Sequence, residues 1–385
     1  MQNFNYSIPT KIYFGKGQIK NLSRIKEIGK RVLMVYGGGS IKKNGIYNKA
    51  LDILKENDIE VFELAGIEPN PKIESVREGV TLCLENKIDV VLAIGGGSTI
   101  DCSKIIAAGA KFKGDPWELV LDGGKIKAAL PVVTILTLAA TGSEMDAFAV
   151  ISDMSKNEKL GTGSDFVKPA FSILDPEYTF SVSKRQTAAG TADIMSHVFE
   201  VYFTREKDGF IQARFCESIL KTCIKYGPIA LENPEDYEAR ANLMWASSLA
   251  INGLLSYGAD VQWSVHPIEH ELSAFYDITH GEGLAILTPH WMEYVLNDST
   301  VYKFVEYGVN VWGIDPSEGT WHIAKKAIKM TRELFEKMDL PKTLTDVGIG
   351  EENLKIMADK LDGTLEDTFI PLSGQDVYEI YKNSL

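Results

Sequence analysis

Asp89-Val90-Val91-Leu92-Ala93-Ile94-Gly95-Gly96-Gly97-Ser98-Thr99-Ile100-Asp101 is a short, unbroken apolar run that stops in three glycines. Such a run, cut off after a few β-branched residues, reads as a strand buried on both faces. The helical pattern of residues 103–110 follows it. The same order recurs upstream: Arg31-Val32-Leu33-Met34-Val35-Tyr36 reads as a strand, runs into Gly37-Gly38-Gly39-Ser40, and is followed by a helical pattern over residues 47–57. Further strands are expected at 59–64 and 129–135, with a helix at 73–86 between strands. Strands alternating with helices imply right-handed βαβ units and a parallel sheet with helices on both faces. From Ser183 onward the β-runs fade and helical patterns take over, at 184–204, 209–226, 234–252 and 318–338. The turn-rich Leu174-Asp175-Pro176-Glu177-Tyr178 marks the change. We therefore expect two domains: a Rossmann-like α/β domain over residues 1–180 and an all-α domain over 181–385. A cleft between two domains is a favoured ligand site.

The glycine turns carry chemistry as well as topology. Glycines let backbone amides approach a phosphate, and the following helix offers unpaired N–H groups and the positive end of its dipole. Neither turn is a GxGxxG, so the usual dinucleotide fingerprint is absent. One such turn alone could simply reverse the chain tightly. Two, each between a buried strand and a helix, favour phosphate binding. An acidic residue after the strand ending at Tyr36 would hold the ribose 2′-OH of NAD and repel a 2′-phosphate. Here stand glycines, Ser40 and then Lys42-Lys43, which favours NADP(H) over NAD(H), although lysines also commonly decorate exposed helix starts.

A second constellation lies in the helical half. Asp193 and His197 are four apart in a strongly helical stretch, so they project from one face on successive turns. His266, His270 and His280 fall within fifteen residues, half of the six histidines in the chain. A carboxylate with three imidazoles suits Fe²⁺ or Zn²⁺ and is a poor site for Ca²⁺ or Mg²⁺. Any one of these histidines is more commonly an ordinary polar residue, and Pro267 turns His266 towards a kink or a helix start. His290, after Pro289, and His322, on an amphipathic pattern, read as ordinary residues.

Composition narrows the classes. The chain has 385 residues, 45% hydrophobic and 24% charged, and a net charge of −13. No Lys/Arg block offers the basic face a duplex-binding protein needs, so nucleic acid is not an expected partner. The acidic balance and the shortness of the apolar runs argue against a membrane, and no secretory signal is visible at Met1-Gln2-Asn3-Phe4. Cys83, Cys102, Cys216 and Cys223 form no CxxC pair and suit a reducing, cytoplasmic setting.

Several long motifs, in order, resemble the iron-containing (group III) alcohol dehydrogenases. They are Lys11-Ile12-Tyr13-Phe14-Gly15-Lys16-Gly17, Gly95-Gly96-Gly97-Ser98-x-x-Asp101, Thr141-Gly142-Ser143-Glu144, Asp193-x-x-x-His197, and the stretch from Trp263 through His280 to Pro289. The likeness spans essentially the whole chain, and the Gly37–Ser40 turn resembles the butanol dehydrogenase and broad-range aldehyde reductase branch. The resemblance implies a dehydroquinate-synthase-like fold and metal ligands Asp193, His197, His266 and His280, with His270 beside the metal. It also implies that the glycine turns (Gly37, Gly38, Gly39, Gly95, Gly96, Gly97), Ser40, Ser98, Asp101, Thr137, Thr141 and Lys159 line the dinucleotide cleft, and that the protein is a homodimer.

The expected reaction is hydride transfer between NAD(P)(H) and a small aldehyde or primary alcohol, with the metal as Lewis acid and His270 as proton relay. The rivals are a glycerol-type polyol dehydrogenase or a dehydroquinate-synthase-like lyase on the same fold, and, in another class, a nucleotide-binding regulator stapled by a structural metal. A lyase acting on a phosphate-bearing substrate would need converging basic residues. Phe148, Leu254, Trp263, Phe275 and Tyr276 are expected near the metal instead, and suit a small apolar aldehyde.

Overall fold

The computed structural model describes residues 1–205, 209–259 and 261–385. They divide into two compact units. One comprises Ser7–Val182 and Pro234–Ser248; the other comprises Met1–Tyr6, Ser183–Asn233 and Leu249–Leu385. The division at Val182 lies close to the boundary read from the sequence. The chain, however, crosses between the units elsewhere, which a single cut at 180 does not describe.

The first unit is built on a six-stranded parallel sheet. Its strands are β1 (Lys11–Phe14), β2 (Arg31–Tyr36), β3 (Glu60–Leu64), β4 (Val90–Gly95), β5 (Val132–Leu136) and β8 (Phe171–Leu174), in the order β1-β8-β5-β4-β2-β3. Two antiparallel strands, β6 (Phe148–Asp153) and β7 (Glu158–Gly163), form a separate hairpin. The helices are α1 (Ser40–Lys43), α2 (Ile46–Glu56), α3 (Ile73–Glu85), α4 (Gly97–Gly109), α5 (Trp117–Leu121) and, entering from later in the chain, α8 (Tyr237–Ile251).

Alternation along the central strands assigns each helix to a face. Val32, Met34 and Tyr36 of β2 and Val90, Leu92 and Ile94 of β4 pack with Ile46, Ala50 and Leu54 of α2. The intervening Leu33, Val35 and Val91 pack with Ile73, Val76 and Cys83 of α3 and Cys102, Ile105 and Ile106 of α4. β2 and β4 are neighbours in the sheet, with Tyr36 opposite Ile94. The chain therefore leaves these two adjacent strands towards opposite faces. That is a topological switch point, and the crevice it opens at the carboxyl ends of the strands is where such sheets bind ligands.

α8 belongs here because Met244 is fully buried among Ala93, Ile100, Leu136 and Leu174. Ser248 on the same helix donates to the buried carboxylate of Glu144.

The second unit is helical: α6 (Lys184–Tyr202), α7 (Phe210–Glu232), α9 (Val265–Tyr276), α10 (His280–Val295), α11 (Val301–Asn310), α12 (Thr320–Lys337), α13 (Leu354–Lys360) and α14 (Gly374–Asn383). α6 starts where Ser183 Oγ accepts from the Gln186 N–H, satisfying an orphan donor of its first turn. α9 stops at Asp277, whose φ of 50° places it in the left-handed region. Among the described residues no helix is long and apolar enough to cross a membrane.

Candidate active site

In the α/β unit, both glycine turns lie at the carboxyl ends of neighbouring strands, and Thr137 joins them from the end of β5. Its N–H donates to Gly95 O at 3.0 Å. The two turns differ. Gly97 opens a 13-residue helix, whereas Gly39 (φ 97°) opens only the four residues of α1. A helix dipole strong enough for phosphate thus exists only at the second turn. The need for glycine differs as well. A Cβ at Gly97 would lie 2.3 Å from the Thr141 side chain, and one at Gly95 2.4 Å from Thr99 Oγ1, while one at Gly38 meets nothing within 4 Å. Packing therefore requires the second turn to be bare, whereas the first is open at Gly38, tight against the Ile67 carbonyl at Gly37 and left-handed at Gly39.

Of the other residues expected to line the cleft, Ser40 is exposed and Ser98 and Thr141 are half-buried. Asp101 turns inward instead: its Oδ1 accepts from Ser143 Oγ at 2.6 Å and its Oδ2 from the Val150 N–H at 2.9 Å. Each oxygen accepts one bond, so Asp101 braces the 143–150 segment against α4, and burial pushes its carboxyl up to about 6. Beside it, fully buried Lys104 pairs with Asp146 at 2.5 Å and donates to Phe148 O at 2.7 Å. Lys159 is buried on β7, opposite Ser152 of the hairpin.

In the helical unit, α6, α9 and α10 bring the second constellation together. Nε2 of His197, of His266 and of His280 lies 3.7, 3.8 and 3.7 Å respectively from Asp193 Oδ1. Donor atoms of Asp193, His266 and His280 all fall within 4.8 Å of one another. These separations are too long for hydrogen bonds, and Asp193 Oδ1 and His266 Nε2 are buried with no hydrogen-bond partner. A buried carboxylate oxygen and an imidazole lone pair that face each other unpaired are costly. Ligand bonds of about 2.0–2.2 Å to one shared cation would satisfy Asp193, His266 and His280, and His197 Nε2 faces the same Asp193 oxygen. The donor set, one carboxylate and three imidazoles, fits Fe²⁺ or Zn²⁺.

Two buried glutamates that the sequence reading passed over hold this arrangement. Glu200 Oε1 accepts from the His266 backbone N–H at 2.8 Å and faces His266 Nδ1 at 3.0 Å, while its Oε2 accepts from the Ser264 N–H at 2.7 Å. Glu269, fully buried, faces His280 Nδ1 and also accepts from Ser273 Oγ. A carboxylate at Nδ1 keeps the proton there and leaves the Nε2 lone pair free to ligate. Glu200 was within reach of sequence reasoning, because it follows Asp193 and His197 at seven and three residues on the same helical face. Glu269 gave no comparable signal, since its partner lies on the next helix.

The same charges set the protonation states. Burial opposes ionising Asp193, but the facing His197, His266 and His280 overcome it and hold its carboxyl down at about 2. Burial keeps His197 down at about 4. It opposes charging His266 too, but Asp193 and Glu200 outweigh it and raise that imidazole to about 9.

His270 is half-buried, its ring centroid 5.5 Å from that of His280 and 6.3 Å from that of His266. Trp263 packs on His266 at 4.6 Å and on His197 at 5.6 Å. Tyr276 OH accepts from Asn353, Lys360 stands over the Phe275 ring, and Phe148 belongs to the α/β unit, where it is 55% exposed.

Comparison with known proteins agrees with this chemistry. Residues 9–176 match the family model for iron-containing alcohol dehydrogenase, and residues 187–385 the model for the C-terminal part of the Fe-containing alcohol dehydrogenase family. NADH-dependent butanol dehydrogenase A of Clostridium acetobutylicum is 60% identical, over 100% of both chains. The NADPH-dependent aldehyde reductase YqhD of Escherichia coli is 43% identical, over 94% of this chain and 93% of that one. The crystal structure of NADH-dependent butanol dehydrogenase A from Thermotoga maritima superposes with a TM-score of 0.94 at 38% identity, covering 100% of this chain and 99% of that one. A switch-point crevice with two glycine turns, a buried one-carboxylate, three-imidazole cluster and matches along nearly the whole chain thus lead to one conclusion: the chain belongs to the iron-containing alcohol dehydrogenase family.

Proposed function

We propose that this protein interconverts small aliphatic aldehydes and primary alcohols of about the size of butanol, using a nicotinamide dinucleotide as the hydride partner and a divalent metal held by Asp193, His197, His266 and His280. The observation that carries the reading is the convergence of three imidazole Nε2 atoms, each 3.7–3.8 Å from one unpartnered carboxylate oxygen. A cation held there supplies Lewis acidity that polarises a carbonyl or eases deprotonation of an alcohol. Asp193 would contribute one negative charge and the imidazoles would ligate as neutral rings, the cation displacing the proton that Asp193 and Glu200 favour on His266, so the ligands would neutralise only half of a divalent charge and leave the site electrophilic. Glu200 and Glu269 fix the tautomers of His266 and His280. Trp263 covers two ligand rings with apolar surface and limits water there. His270 exchanges the substrate hydroxyl proton with solvent through an imidazole nitrogen, which can both donate and accept a proton.

The dinucleotide is assigned to the switch-point crevice, with its pyrophosphate at Gly95–Ser98 on the long helix and its adenosine end at Gly37–Ser40. Ser98, Thr137, Thr141 and Lys159 line that crevice, and Asp101, at its edge, also braces the 143–150 segment. Lys42 and Lys43 favour NADP(H), whereas the 60% identical relatives are named for NADH. A turn that carries no carboxylate of its own accommodates both. The catalytic unit is a homodimer in the cytoplasm, and light scattering checks its size. The deciding experiment follows NADH and NADPH oxidation with butanal, and with glycerol in the reverse direction, before and after chelation and after restoring Fe²⁺ or Zn²⁺. Activity that survives complete metal removal overturns the reading.

A further inference from the structure

Beyond the glycine turn, the edge of the sheet carries a charge arrangement of which the dehydrogenase reading uses only Lys42. Lys42, exposed on α1, places its Nζ 5.1 Å from the centroid of the Tyr36 ring and 4.6 Å from that of Tyr47. The two rings meet edge to face at 5.8 Å. Both phenols donate to one carboxylate: Tyr36 OH to Glu63 Oε2 at 2.6 Å, and Tyr47 OH to Glu63 Oε1 at 2.8 Å. Glu63 stands near the end of β3, the strand next to β2, opposite Met34. One ammonium and one carboxylate are thus held by the same pair of rings. Following the path from ammonium to ring, across the ring, and from hydroxyl to carboxylate keeps them within about 10 Å, the Debye length at 0.1 M salt.

The position gives this pair a consequence. The pyrophosphate belongs at the turn that opens the long helix α4. In a dinucleotide-binding sheet the ribose 2′ position then falls at the end of the neighbouring strand, here β2, whose last residue is Tyr36. Gly38 leaves open space at that turn. A 2′-phosphate placed there meets the field of Lys42 and Glu63 together. Lysine alone would select NADPH and glutamate alone would reject it.

We propose that Glu63 and Lys42, positioned by Tyr36 and Tyr47, are the determinants of coenzyme choice, with Glu63 offsetting the pull of Lys42 so that neither NADH nor NADPH is excluded. The proposal rests on the dinucleotide reading of the preceding section. A phenol-anchored carboxylate one strand away from the turn does the work that an acidic residue inside the turn does in NAD-specific sheets. Because it acts through charge across solvent-exposed groups, its effect is screened by salt.

The test measures Kd for NADH and for NADPH by nicotinamide fluorescence on the metal-loaded enzyme, at 20 mM and at 500 mM NaCl. Glu63 is exposed and Glu63→Gln keeps its shape, so the fold should tolerate the change. At low salt the ratio Kd(NADH)/Kd(NADPH) is expected to rise about 3–10-fold in Glu63→Gln and to fall by a similar factor in Lys42→Met, with both shifts shrinking at high salt. A ratio within two-fold of the parent in both variants at low salt overturns the proposal alone. A parent enzyme that binds neither dinucleotide overturns the dehydrogenase reading and the proposal with it.

Discussion

Glu200→Gln isolates what the buried carboxylate behind His266 does. Glu200 serves three donors at once: the Ser264 N–H, the His266 N–H and His266 Nδ1. Glutamine offers one carbonyl oxygen, so whichever way the amide is turned, an NH₂ group faces a donor and at least one bond is lost. Leaving a buried N–H unsatisfied costs about 1–3 kcal/mol. The lost charge also makes the imidazole a poorer ligand, and outer carboxylates of this kind are worth about 10–100-fold in metal affinity, or about 1.4–2.7 kcal/mol. The expected result is a metal Kd raised 10–100-fold in chelator competition, with lower metal content after dialysis of anaerobically purified protein. Dinucleotide affinity should be unchanged, because Glu200 lies in the helical unit and the glycine turns in the other. If the metal Kd stays within two-fold of the parent while the melting temperature drops, Glu200 only packs the interior and the orienting role is refuted.

His266→Ala and His280→Ala should each abolish metal retention and butanal reduction together while NADH or NADPH still binds; normal turnover by a metal-free variant would remove the Lewis-acid assignment. Gly97→Ala places a Cβ 2.3 Å from Thr141 and should cost about 1–3 kcal/mol of stability and weaken dinucleotide binding, as thermal melts and fluorescence titration will show. Glu144→Gln probes a carboxyl that burial raises to about 7, against 4.5 when exposed. Between those values the folded protein binds more protons than the unfolded chain, so this group costs stability progressively as pH rises from about 4.5 to 7. The variant should therefore melt about 2–4 °C higher than the parent at pH 8 and show no gain near pH 4.5; a gain independent of pH would show that the charge is not responsible.

The elements that a single sequence displays most clearly are those whose burial is symmetrical. β2, β4 and β5 are covered on both sides and read as continuous apolar runs, and α2 and α3 carry regular stripes. β8 has only four residues, and β6 and β7 carry glycines and charges in a two-stranded hairpin whose pairing is specified by its partner rather than by its own pattern. Helical spacing placed Asp193 and His197 on one face, but their meeting with His266 and His280 depends on how α9 and α10 pack, which no spacing encodes. Asp101 shows the converse limit. The family resemblance assigns it to the coenzyme cleft, and the fold adds that each of its oxygens accepts a bond from the hydroxyl or amide of the 143–150 segment. Lys42 read as an ammonium suited to NADP(H) or an ordinary lysine at a helix start, and only the fold reveals the rings beneath it and the carboxylate beyond them.

The return of residues 234–248 to the α/β unit has a consequence for the order of synthesis. Until α8 has left the ribosome, the seat of Met244 on Ala93, Ile100, Leu136 and Leu174 is empty, and Glu144 lacks the hydroxyl of Ser248. By then residues 183–233 of the helical unit, with α6 and its Asp193 and His197, have already been made. A nascent chain stalled at residue 182 would hold a sheet with an apolar gap, and a gene truncated there should yield a sticky, poorly soluble fragment. Neither half can be produced as a clean stand-alone module by cutting once, and shuffling halves between relatives would have to carry α8 along with the strands it completes.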